Sequence, residues 1–460
     1  MMKINKIQQC LKELNAKYKL PAMSVAVIDC GKADYFFQKG DKEYEELPLN
    51  EEMRFGIGCC TKAFISSVAA RIFGSFGLDF DTPIKEYCKS ISFYDSYYQE
   101  NLTLKDLLSH RTGFPKQNHC FYLPLDVEKQ IPQIYEIYRP VTELRKTFQY
   151  NNLSYILVGH ILESITGNSI EELLGKELLA LLNMNHTAFG YCGMSDKDIC
   201  MPYIQTKDKQ LCKVKNQRIY MGGAAGGLYS SMEDLTKWLL MFLDRGNGKN
   251  MMEDYILKGL ASQTINDSLR STNYLSAASY ESGWFVRNYK GLPMVYHEGK
   301  QIGYTCMLSF IPQKKLGVIA MTNTHNHVAP QVITNTVYDI LLNREQGNWY
   351  RFFEVNKLYL SELQEDYRDK FVKKYCMETT DSSLLRGIYC NRVLGMLKVY
   401  KHEENYVLSI NDVAFKCSHY IKNIYCVDIY GSELLFAFCN DRIVLPIDAY
   451  ENPSVYMRIA

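Results

Sequence analysis

Two pairs of strand-like runs, one near each end of a long stretch of helical periodicity, constrain this chain most. Residues 23–28 and 33–37 alternate or run apolar and are joined by the turn Asp29-Cys30-Gly31-Lys32. Residues 304–311 and 316–322 repeat that pattern around a turn at 312–315. Between the pairs, residues 61–75 place Phe64, Ile65, Val68, Ala69 and Ile72 on one side of a helix. Residues 152–165, 170–179 and 232–242 also read as helices, as do 328–342 beyond the second pair. Residues 104–108 open a helical piece that stops at Arg111-Thr112-Gly113-Phe114-Pro115. Strands at both ends with helices between them predict an α+β body whose sheet is closed by both ends of the segment.

Beyond a charged, aromatic stretch at 343–374 the pattern changes. Short alternating runs at 395–400, 406–410, 424–430, 434–438 and 442–446 predict a small antiparallel β domain, barrel-like, with its own core. The expected division is a body over 1–345, a linker with a helix over 346–380, and the β domain over 381–460. The balance of 52 basic and 51 acidic side chains, with no basic stripe, argues against a nucleic-acid partner. No run reaches the roughly 18 uncharged apolar residues of a membrane span. Residues 1–20 read as an amphipathic surface helix without the apolar centre of a signal peptide. The fifteen cysteines are scattered and often sit in apolar runs, which predicts reduced thiols and a cytoplasmic protein.

The chemistry centres on Cys59-Cys60-Thr61-Lys62, at the entry to the apolar helix over 61–75. A spacing of three aligns Cys59 and Lys62 on one helical face, where an amine can take a thiol proton. A cation there, and the helix N-terminus, both favour a thiolate. Cys60 points elsewhere, into the core, because adjacent helical residues do not share a face. Tyr150 can relay a proton if the Lys62 cation acidifies its phenol. Asn152 can orient Lys62 and donate to a substrate carbonyl, or serve only as a helix cap.

In order and separation these residues resemble the serine β-lactamase and penicillin-binding-protein superfamily, in its class C-like esterase and D-aminopeptidase branch. The S-x-x-K motif matches Cys59 to Lys62 with cysteine in the serine position, Y-x-N matches Tyr150-Asn151-Asn152, and H-x-G matches His297-Glu298-Gly299. Peripheral matches are Leu107-Leu108-Ser109-His110-Arg111-Thr112-Gly113, Ala225-Gly226-Gly227-Leu228 with Glu233-Asp234-Leu235, and Gly283-Trp284. They span about residues 15–342. The resemblance implies a β-lactamase-like body with a mostly helical subdomain over about 75–220, and catalysis by Cys59, Lys62, Tyr150, Asn152 and His297. It implies an oxyanion hole from the backbone N–H groups of Cys59 and Lys300. Glu298, Gly299, Trp284 and His119 are expected to bind substrate, Gly299 by admitting it close to the strand.

Cysteine changes the expected intermediate from an ester to a thioester, which water or an amine can resolve. The expected function is therefore hydrolysis of an amide or ester of a small metabolite or peptide through an acyl-Cys59 enzyme. Acyl transfer to an amine is the alternative, and a non-catalytic ligand-binding relative or a Ser-to-Cys trapping variant is the other. No cofactor or metal is implied. His325 and His327 carry metal-ligand chemistry, but no carboxylate cluster accompanies them.

Overall fold

The structure, a computed structural model, describes residues 2–39, 49–114, 131–190, 198–243, 275–376 and 385–459, less positions 133, 137, 206–210, 215–222, 326–327, 392–394, 404, 411–412, 430–431 and 446–453. Helix α1 (Met2–Tyr18) leads into the hairpin β1 (Ala22–Asp29) and β2 (Lys32–Lys39), turned at Cys30 and Gly31, both with positive φ. Strand β3 (Arg54–Gly56) feeds α2 (Thr61–Phe76), which ends where Gly77 adopts the left-handed conformation. Helices α3 (Leu104–Leu108) and α4 (Asn152–Thr166) follow, then β4 (Leu228–Ser231) and α5 (Met232–Leu243). The chain returns through β5 (Leu275–Glu281), β6 (Trp284–Tyr289), β7 (Leu292–Gln301), β8 (Tyr304–Ile311) and β9 (Leu316–Thr322) to α6 (Ala329–Leu341) and α7 (Trp349–Tyr375).

The principal sheet has the order β2-β1-β9-β8-β7-β6-β5, antiparallel throughout. Its centre joins the two ends of the body, with Met23 opposite Thr322 and Asp29 opposite Leu316. Helices cover both faces, which is why β8 and β9 are apolar nearly throughout and not alternating. Ala26, Leu308, Phe310 and Ile319 pack with Phe64 and Val68 of α2 and Trp238 of α5. Their neighbours Val25, Val27, Met307 and Val318 pack on the other face with Ile7 and Leu11 of α1 and Val332, Ile333 and Val337 of α6. The predicted helix over 170–179 is α-helical only from Ile170 to Leu174 and continues as a π turn, Gly175–Leu179.

The tail forms a closed barrel of eight antiparallel strands: β10 (Gly387–Asn391), β11 (Gly395–His402), β12 (Asn405–Ile410), β13 (Val413–Ile421), β14 (Ile424–Ile429), β15 (Ser432–Cys439), β16 (Arg442–Leu445) and β17 (Ser454–Arg458). Closure comes from β10 against β17, with Cys390 opposite Met457, and removes both sheet edges. Tyr389, Leu397, Leu408, Phe436, Ile443 and Tyr456 fill the interior. Phe371 near the end of α7 packs on its outer face against Ile424, Leu435, Ala437 and Val444.

Candidate active site

The start of α2 is held against the end of β7 by two glycines. Gly58 adopts φ +50, and a Cβ there would lie 2.4 Å from the Lys300 carbonyl oxygen and 2.6 Å from the Lys300 nitrogen. A Cβ on Gly299 would lie 1.8 Å from the Ile57 carbonyl oxygen. No other residue allows this approach. The nearest neighbour of Gly299 is thus the chain's own Ile57 backbone, which by itself calls for glycine at this position. The turn Gly58–Cys60 is 3-10 and is tied to β4: Thr61 Oγ1 donates to Gly58 O (2.7 Å) and accepts from the Leu228 N–H (3.1 Å).

Cys59 is partly exposed in this turn, whereas Cys60 is fully buried. The Cys60 thiol lies 3.4 Å from the His297 carbonyl oxygen and beside Cys306, and burial pushes its pKa well above 9.0. One turn on, Lys62 is fully buried. Its Nζ donates to Asn152 Oδ1 at 2.7 Å and to the Ala225 carbonyl at 2.6 Å, and lies 4.8 Å from the Tyr150 ring centroid. Asn152 is the first residue of α4, while the cap is Asn151, whose Oδ1 accepts from the Ser154 N–H. The reading of Asn152 as a mere cap is thus replaced by a lysine-binding role.

The Tyr150 hydroxyl is buried and makes no hydrogen bond of standard geometry. Its neighbour is the Cys59 thiol, and burial first, then that sulfur, push the phenol well above 10.0. The sequence predicts acidification by Lys62; desolvation instead raises the phenol. His297 is buried, with Nδ1 2.7 Å from the Glu298 carbonyl and Nε2 3.4 Å from the Tyr280 hydroxyl. Both ring nitrogens therefore face protein atoms, which fits a bracing role better than the expected contact with substrate.

Lys300 is exposed and Glu298 half-buried at the end of β7, where β6 no longer pairs with it. Trp284 is fully buried against Phe242 and Phe310, in the core and not in a cleft wall. His119 and Cys120 lie outside the described residues, as does His327. His325 donates through Nδ1 to the Gln301 carbonyl (2.9 Å), bracing the end of β7, and burial lowers its pKa.

Two residues join the site that motif reading did not select, Tyr280 and Tyr155, and a third, His110, stood in a peripheral motif match without an assigned role. Tyr280 is buried between His297, Tyr150 and Tyr155, and desolvation raises its pKa well above 10.0. Tyr155, one helical turn past Asn151, donates to the Leu108 carbonyl at 2.9 Å and meets Ser66 Oγ at 3.2 Å. His110 packs its ring 4.3 Å from that of Tyr150. The i, i+4 pairs Asn151–Tyr155 and Lys62–Ser66 were visible as spacings, but nothing local marked Tyr155 and Ser66 as meeting each other.

Among known proteins, the Beta-lactamase family profile matches residues 7–341. The unguisins hydrolase ungD' of Aspergillus campestris is 23% identical over 388 residues, covering 79% of this chain and 70% of that protein. Protein flp of Staphylococcus aureus is 22% identical over 370 residues, covering 77% and 68%. The octameric penicillin-binding protein homologue from Pyrococcus abyssi superposes with a TM-score of 0.65 at 23% identity, over 98% of this chain and 99% of that one. The seven-stranded sheet, the turn that carries Cys59 and the buried Lys62 thus lie within one continuous match across the body, and the chain belongs to the Beta-lactamase family.

Proposed function

We propose that this chain is a hydrolase that cleaves an amide or ester of a peptide or small metabolite through an acyl-Cys59 intermediate. The observation that carries the proposal is the juxtaposition at the start of α2. A partly exposed Cys59 meets a buried Tyr150 hydroxyl, and a fully buried Lys62 is oriented one turn away by Asn152 and Ala225. A buried hydroxyl without a standard partner is costly, and a role in proton transfer accounts for keeping it.

In the proposed sequence, Cys59 Sγ attacks the substrate carbonyl carbon, and its proton goes to the Tyr150 hydroxyl as that hydroxyl hands its own proton to the neutral amine of Lys62. The tetrahedral oxyanion is held by the N–H groups of Cys59 and Lys300, whose backbones Gly58 brings together. The carbon–nitrogen or carbon–oxygen bond then breaks, and the leaving group receives the proton through Tyr150. Water adds to the thioester, the carbon–sulfur bond breaks, and the carboxylic acid departs with the thiol restored. The ungD' relative is named for hydrolysis of unguisins, which favours a hydrolytic outcome here. Sulfur as nucleophile supports a second reading, in which an amine takes the acyl group, because thioesters react readily with amines. The free thiols suit a reducing compartment, and the proposed location is the cytoplasm.

Intact-protein mass spectrometry with activated esters, thioesters and peptide amides tests the proposal. An acyl adduct that appears on the wild type and is absent from Cys59→Ala is expected. Quenching with and without added amine separates acid from amide product. If no donor of any of these classes labels Cys59, the proposal is lost.

A further inference from the structure

His110 stands outside the catalytic set, yet its neighbours give it a definite task. The loop over 141–151 returns along the turn that follows α3 and is pinned to it step by step. The Val141 N–H donates to Gly113 O (2.9 Å), the Arg145 N–H to Arg111 O (2.7 Å), and the Gln149 N–H to His110 O (2.8 Å). The last bond differs in kind: the Asn151 N–H donates to the imidazole Nδ1 of His110 at 3.1 Å. One residue thus holds the N–H groups of both neighbours of Tyr150, that of Gln149 by its main chain and that of Asn151 by its ring. The same ring packs 4.3 Å from the Tyr150 ring, 4.8 Å from Tyr280 and 5.2 Å from Tyr155.

Two further features suit this task. His110 is fully buried and has φ +57, a left-handed conformation that few side chains other than glycine and asparagine tolerate. That backbone turns the ring back onto the returning loop. Outside the clamp, the Arg145 guanidinium grips Asp106 through Nε (2.8 Å) and a terminal nitrogen (2.9 Å), so the loop's other end is fixed to α3 itself.

We infer that His110 is the positioning residue for the Tyr150 phenol, setting its place beside Cys59 by accepting the Asn151 N–H through Nδ1. The inference rests on the reading of Tyr150 as proton relay in the proposed function. An accepting Nδ1 requires a ring that carries its proton on Nε2 when neutral.

The test compares His110→Leu, which fills the ring's space without an acceptor, with His110→Asn. Asparagine offers an oxygen near the Nδ1 position and tolerates the left-handed backbone. With an acyl donor that labels the wild type, the leucine variant is expected to lose about 10- to 100-fold in acylation rate at unchanged KM. The asparagine variant is expected to stay within about threefold of wild type. Equal losses in both variants, or none in either, overturn the inference. Hydrogen exchange of the peptide containing Tyr150 and Asn151 reads the same clamp without any substrate. Exchange there should quicken in His110→Leu and remain slow in His110→Asn; equal protection in both overturns it. If no donor acylates the wild type, the catalytic reading fails while the exchange result still decides the clamp. If the leucine variant does not fold, 15N imidazole spectra of the wild type decide instead. A protonated Nδ1 on His110 would refute it, and an unprotonated one supports it.

Discussion

At the level of single residues, the site separates what catalysis needs from what stability prefers. Tyr150 illustrates the difference. Its ring is packed at 4.3 Å on His110 and stacked parallel to Phe285, while its hydroxyl has no standard hydrogen bond. Tyr150→Phe keeps the packing and removes a desolvated polar atom, so folding stability should hold or rise by up to about 1 kcal/mol. The acylation rate of Cys59 should nevertheless fall by about 100-fold or more. Urea denaturation read beside the mass-spectrometric acylation rate checks both halves, and a stability loss of several kcal/mol would show that the hydroxyl is structural. Cys59, Lys62, Tyr150 and Asn152 were read from motif order, and the structure brings them together at the start of α2, although the cap that Asn152 suggested is Asn151. Tyr280 carried no motif signal, and the motif that contains His110 gave it no role. They reach the site only because β5 and the turn after α3 are brought to the same place by packing, which periodicity does not encode. Trp284 shows the opposite error, since an aromatic beside a motif glycine is as readily a core residue.

Among elements, the decisive contact is that between the end of β7 and the turn before α2. Gly299→Ala would place a methyl 1.8 Å from the Ile57 carbonyl, so the strand must move away from Cys59. Loss of about 1–3 kcal/mol in stability is expected, with acylation falling further than stability alone explains. Wild-type acylation rates in that variant would show that β7 does not form half of the oxyanion hole. A second contact fastens α7 to the body. Asp339 in α6 is fully buried and accepts from Tyr289 Oη (2.8 Å), Lys290 Nζ (2.5 Å), the Gly347 N–H (2.9 Å) and Trp349 Nε1 (2.8 Å). Asp339→Asn loses the charge and turns one oxygen into a donor facing donors, so it should cost about 3 kcal/mol in urea denaturation. The strands β8 and β9 were legible from sequence because both faces are covered and the runs are continuously apolar. In the barrel, β10, β13 and β17 were not: lysine, serine and histidine interrupt the alternation of β13, and β10 and β17 are only five residues long, so barrel closure commits them to strand.

Across the whole molecule, burial of phenols and thiols predicts how stability responds to alkali. Desolvation raises Tyr150, Tyr280, Tyr289 and Tyr338 in the body and Tyr456 in the barrel above the ordinary value of 10.0. It likewise raises Cys60 and Cys200 above 9.0 and pushes Cys417 up to about 12. In the unfolded chain these groups ionise at their ordinary values, while the folded protein holds their protons to higher pH. Between the two values the folded state binds more protons, so stability falls as pH rises. Each thiol contributes from about pH 9 and each phenol from about pH 10, at about 1.4 kcal/mol per pH unit per group. Urea midpoints measured from about pH 8 to about pH 11, with tyrosinate absorbance followed in parallel, should show a plateau and then a decline that steepens past pH 10. Most of the buried phenols lie in the body, so its transition should shift further than the barrel's if the two are resolved. Midpoints that stay flat to pH 11 would mean that the phenols and thiols are hydrated in the folded protein, and the dry aromatic site around Tyr150 would have to be abandoned with them.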